Sequence, residues 1–126
     1  MNNGDNGHTC EDVIQIRALA MGQDWVFLVS GGTAHIGAVA AAYRSDDQPI
    51  PCEVVTVPGH REGKLAVELA TLASHRLRRT VSVVAGIHLH QPSKQQIEAV
   101  VELARSKLNQ MLEHVESLDE GENAHA

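Results

Sequence analysis

The sequence predicts an α+β domain of element order ββββαβα, a mostly antiparallel sheet with two helices packed on it. Three observations point there. The first half carries short apolar runs cut by turn residues, as strands do. From Leu65 the apolar residues switch to helical spacing. The last third opens with a helix-capping pattern and keeps one apolar stripe to Val115.

Taken in order, residues 13–20 alternate, with Ile14, Ile16, Ala18 and Ala20 inward and Gln15 and Arg17 outward. "MGQD" at 21–24 supplies a hairpin turn. Residues 25–30 form a second, more continuously apolar strand. Residues 36–43, small and apolar, form a third, although alanine is a weak strand former. "RSDDQPIP" is a turn-rich connection, and residues 52–57 form a fourth strand. Leu65, Leu69, Leu72, Ala73 and Leu77 then share one helical face. Glu62 stands near the start of that helix and His75, Arg76, Arg78 and Arg79 near its end, the order the helix dipole favours. Residues 80–85 are a β-branched fifth strand. Ser93 and Gln96 make an S-x-x-Q capping box behind Pro92. The second helix follows with Ile97, Val100, Val101, Ala104, Leu108, Met111, Leu112 and Val115 on its stripe.

The 126 residues suit one domain. Residues 1–11 read as a disordered lead, 12–115 as the folded domain and 116–126 as a flexible tail. Trp25, Phe27 and Tyr43 are the only aromatic residues, so the core must be built from Ala, Val, Leu and Ile. Alanine-rich strands leave thin layers, which points to a homodimer. A net charge of −6 with so few aromatic residues argues against nucleic acid, which needs a basic patch and stacking platforms. No apolar run is long enough to span a membrane. Cys10 and Cys52 form no C-x-x-C and no export signal is visible, so a reducing cytoplasm is expected.

Glycine and histidine recur together after three of the strands, in "GGTAHIG" (31–37), "VPGHREGK" (57–64) and "AGIHLHQPS" (85–93). In a four-strand meander, strand two runs parallel to strand four, and a strand–helix–strand crossover brings strand five back parallel as well. The three loops that follow strands two, four and five therefore gather at one edge. Two of them lead into helices, whose N-termini favour anions. Glycines permit close backbone approach, and Arg61 and Lys64 add charge. A phosphate or anionic cofactor suits this edge, with His35, His60 and His88 as donors, although neither GxGxxG nor GxxxxGKS is present. His90 points to the opposite side if the chain is extended there. His8, His114 and His125 fall in the tails or on the helix surface, and His75 belongs to a solvated helix end.

Metal chemistry is the competing reading of the same histidines. "HLH" at 88–90 keeps it open, and Glu62 is the one acidic residue near the second loop. A small metal-dependent hydrolase or lyase would use them. Ser30 and Thr33 lie beside the first loop, but no G-x-S-x-G elbow or orienting carboxylate accompanies them. A third reading is an assembly chaperone that recognises a protein and binds no cofactor.

The three motifs, "SGGTAHIGAVA", "TVPGHREGKLA" and "VVAGIHLHQPS", resemble the prenylated-flavin chaperone family typified by LpdD, formerly regarded as a component of gallate decarboxylase. The resemblance covers roughly residues 24–115. Ala34 replaces an expected proline, and His90 replaces an acidic or small residue. The resemblance implies a fold like that of proteasome assembly chaperones and a non-catalytic role. It implies binding of prenylated FMN and delivery to a UbiD-type decarboxylase. The matching positions include Gly31, Gly32, His35, Ile36, Gly37, Pro58, Gly59, His60, Gly86, Ile87 and His88, with Arg61 expected to supply charge. No resident metal is expected on this reading.

Overall fold

A computed structural model describes residues 14–43 and 52–125, with side chains described up to residue 118. The expected lead at 1–11 and the connection at 44–51 lie outside the described residues. The observed order is β1 (Ile14–Met21), β2 (Asp24–Gly32), β3 (Ala38–Ala42), β4 (Cys52–Thr56), α1 (Gly63–Leu77), β5 (Val81–His88) and α2 (Lys94–His125). The architecture is α+β, as the pattern predicts.

The strands do not form a meander. Their order across the sheet is β1-β2-β5-β3-β4. β5 enters between β2 and β3, parallel to β2 and antiparallel to β3. The β1–β2 and β3–β4 pairs are antiparallel. β5 takes the centre, and every residue from Val81 to Ile87 is buried or half-buried, as suits a strand flanked on both edges. The strand directions nevertheless agree with the expectation. β2, β4 and β5 all point the same way, so their C-terminal ends share one edge. The inference about the loops needed only the directions, not the neighbours.

Residues facing the helices make the core. Ile14, Phe27, Val29, Val81, Val83 and Ala85 are buried, with Ala38, Ala40 and Ala42 from β3. α1 lies over β3, β4 and β5, while α2 lies over β1 and along α1. The alanines of β3 let α1 sit close, and Ala66, Ala70 and Ala73 answer from the helix. Arg76 holds the two helices together, donating to Asn109 Oδ1 at 3.0 Å and to Glu116 Oε1 at 2.8 Å. Lys107 on α2 donates to the Ile14 carbonyl at 2.7 Å, tying that helix to β1.

α1 stops at Arg78, which adopts a left-handed φ of 57° and donates its N–H to Ser74 O at 2.8 Å. α2 starts with the expected box: Gln96 N donates to Ser93 Oγ at 3.1 Å, and Ser93 N donates to Gln96 Oε1 at 2.7 Å. α2 continues through His125, beyond Val115, so the segment expected to be a flexible tail extends the helix. The sequence 116–125 contains no proline, and Arg76 reaches its first residue, Glu116. Among the described residues, no helix is long and apolar enough to cross a membrane.

The opposite face of the sheet carries no helix among the described residues. By register Leu28, Val84, Val39 and Val55 form one apolar row across β2, β5, β3 and β4. Val55 is 70% exposed, and Leu19 is exposed on the same face.

Candidate functional site

The edge where β2, β4 and β5 end is stitched together by Gly37. Its N–H donates to Ala85 O at 2.9 Å, and its carbonyl accepts Val57 N–H at 2.8 Å. The first loop therefore runs across the end of β5 and is held to the end of β4. Glycine is required for this crossing. A Cβ at Gly86 would stand 1.5 Å from the His35 carbonyl oxygen, and one at Gly32, where φ is +66°, would stand 1.9 Å from the His88 oxygen. A Cβ at Gly37 would fall 1.6 Å from Glu62 Oε2. Gly32 and Gly86 thus bring chain against chain and Gly37 makes room for the Glu62 carboxylate, where the sequence suggested approach to a ligand. Gly59, at φ +86°, has open space around it and shapes the turn that carries His60. Gly31 is buried within β2, opposite Ile87.

The crossing brings the three histidines together. His35 Nε2 lies 3.2 Å from His60 Nδ1, and the two rings are 4.7 Å apart between centroids. His88 stands edge-on to His35 at 6.0 Å. His88 ends β5 and is not in a loop, because β2 and β5 remain paired up to Gly32 and His88. His35 Nδ1 is 2.9 Å from Thr33 O, so Nδ1 carries the proton and donates it. In the neutral ring His35 Nε2 then presents a lone pair to its neighbours. Ile36 is 57% exposed at the rim.

Glu62 joins them, in a position its place in the sequence does not reveal. It is the N-cap residue of α1 but makes no side-chain cap. Its carboxylate turns instead toward the rings, with Oε2 3.4 Å from His35 Nε2 and 3.6 Å from His60 Nδ1. Oε1 accepts the Arg61 backbone N–H at 3.0 Å. Oε2 is buried and accepts no hydrogen bond from the described residues.

Beside this cluster opens a cleft of about 540 Å³. Gly59, His60, Arg61, Glu62 and His88 form its polar side. Leu65, Ile87, Leu89, Pro92, Ile97, Val100 and Val101 form its apolar side. The volume falls within the usual range for small-molecule sites. Ile97, counted by periodicity among the core stripe of α2, is instead 41% exposed and lines this cleft. Its position one turn before Val100, the first buried residue of the helix, was the available signal. Trp25, Phe27 and Tyr43 do not line it. At the polar end, α1 begins without a side-chain cap and without an acidic residue in its first turn, and Arg61 and Lys64 flank that start. His75 and His114 are exposed at the far end of α1 and on α2, and His90 is exposed beyond β5.

A five-stranded sheet with two helices on one face, ending in a rim of histidines beside a cleft, defines an α+β domain with a candidate binding site at one sheet edge. The fold is similar to a solved structure described as a novel chaperone complex for yeast 20S proteasome assembly. That similarity has a TM-score of 0.53 at 12% identity, over 82% of this chain and 94% of that one. No curated protein matches the sequence. The prenylated flavin chaperone LpdD-like domain matches residues 9–116, and the chain belongs to that family.

Proposed function

We propose that the protein holds prenylated FMN in the cleft between β5, α1 and α2 and hands it to an apo-decarboxylase of the UbiD type. The observation that carries this reading is the cleft's two-ended chemistry. Leu65, Ile97 and Val101 give a broad apolar wall for a ring system, and the uncapped start of α1 with Arg61 gives an anion end for a phosphate. Family membership supports the choice of ligand. His60 and His88, on the polar side, contact the ligand's edge. Aliphatic walls in place of aromatic ones suit a carrier, which must release what it holds.

The test uses untagged protein mixed anaerobically with prenylated FMN and then desalted. Flavin absorbance should stay with the protein, and the loaded protein should activate an apo-decarboxylase faster than free cofactor does. Absence of both effects would contradict the reading. Co-purification of a decarboxylase without retained flavin would indicate a chaperone that recognises protein alone.

The uncovered sheet face supports a homodimer in which the Leu28–Val84–Val39–Val55 row is buried against a second copy. Val55→Asp should weaken dimerisation about tenfold, about 1.4 kcal/mol, as read by sedimentation equilibrium. The monomer should remain folded, because Val55 is already exposed in it. An unchanged association constant would place the interface elsewhere.

A further inference from the structure

We infer that His35, His60 and Glu62 form a binding site for one divalent transition-metal ion, with a geometry that favours zinc. His35 Nε2, His60 Nδ1 and Glu62 Oε2 form a triangle with edges of 3.2, 3.4 and 3.6 Å. Ligands about 2.0–2.1 Å from a tetrahedral ion are separated by about 3.3–3.4 Å, whereas cis ligands of an octahedron stand about 2.8–3.0 Å apart. The observed edges lie around the tetrahedral value. Two imidazoles and a carboxylate are also an established donor set for first-row divalent metals.

Proton bookkeeping points the same way. His35 donates Nδ1–H to Thr33 O, so in the neutral ring its Nε2 is the acceptor. In the ion-free protein, a proton on His60 Nδ1 serves His35 Nε2 and leaves Glu62 Oε2 buried with no donor. A buried carboxylate oxygen without a partner is costly. A cation replacing that single proton engages all three lone pairs at once.

The surroundings are those of a supported ligand set. The bond from His35 to the Thr33 carbonyl fixes ring and tautomer. The Arg61 N–H holds Glu62 Oε1 and leaves Oε2 as the coordinating atom. Gly37 keeps clear the space a Cβ would take from that oxygen. With three protein ligands, a tetrahedral ion keeps one position for water or another small ligand. His60 and Glu62 also belong to the cleft wall, so the ion would sit at its polar end. The inference does not rest on the flavin reading, and its test contains no flavin.

Untagged protein stripped with chelator, then freed of it, should be titrated with Zn²⁺ by calorimetry and with Co²⁺ by visible absorption. The wild type should take up one equivalent, and its Co²⁺ form should show the intense bands of four-coordinate cobalt. Glu62→Gln and His35→Gln should each weaken binding at least tenfold, while His114→Gln binds like wild type. Zn²⁺ should raise the melting temperature of wild type but not of Glu62→Gln, a readout that holds even if the variants differ in basal stability. Absence of saturable binding to wild type would overturn the proposal. So would equal binding by wild type and Glu62→Gln, which would assign the ion to other groups.

Discussion

Gly86→Ala should lower stability by about 3 kcal/mol, the largest single-residue effect expected at the site. The added methyl would lie 1.5 Å from the His35 carbonyl oxygen and 2.6 Å from its carbon. Both are backbone atoms, so no flexible side chain can yield. The loop must retreat by about 1.5 Å to restore a tolerable 3.0 Å contact. That movement breaks the Gly37 N–H bond to Ala85 O, and with it the tie between the first loop and β5. His35 is carried away from His60 in the same step. The melting temperature, followed by far-UV circular dichroism, should fall by about 10 °C or more. Gly59→Ala is the comparison. Its added methyl meets open space, so only the left-handed φ resists it, at about 1–2 kcal/mol. If Gly86→Ala melts within a couple of degrees of wild type, the first loop does not cross β5 as described.

His60→Ala should reduce retention of prenylated FMN about thirtyfold, about 2 kcal/mol, and leave the fold intact. His60 stands on the cleft wall and is also the partner of His35 Nε2. Its removal takes away a ligand contact and leaves Glu62 beside a single imidazole. The ring is partly exposed and its turn is held by the backbone bond from His60 N to Val57 O, which alanine preserves. Stability should therefore change little, and equilibrium dialysis against the flavin separates the two effects. Full retention by a folded His60→Ala protein would remove this histidine from the binding wall.

Much of the fold is legible in the sequence because each element announces its own period. Alternation gives β1, the glycine-containing turn gives the β1–β2 hairpin, and the Ser93–Gln96 box marks where α2 begins. The neighbours of β5 are not legible. Periodicity says which side of a strand is buried, not which strand lies beside it, so a central β5 and a linear meander read alike from β1 to β4. The glycines at 32, 37 and 86 were visible as a need for close approach, but not what approaches. In the structure, main chain approaches at Gly32 and Gly86, and the Glu62 carboxylate at Gly37.

The three histidines were legible as a group because strand directions alone bring them to one edge. Glu62 was legible as the one acidic residue near the second loop, but its contact with His35 was not, since an acidic residue at a helix start reads as a dipole partner. Only the crossing of the first loop puts His35 within reach of it. The apolar wall was hidden for a related reason. Ile97, Val100 and Val101 continue the stripe of α2, and a stripe does not reveal where its packing partner ends.

The central claim is that residues from three separate segments contact one ligand. Imidazole proton and carbon resonances, assigned by single His→Gln variants and followed while prenylated FMN is added, test it directly. The account predicts that His60 and His88 shift together along one binding curve, with His35 following through its contact with His60, while His75 and His114 stay in place. Saturable flavin binding that leaves His60 and His88 unmoved would contradict it.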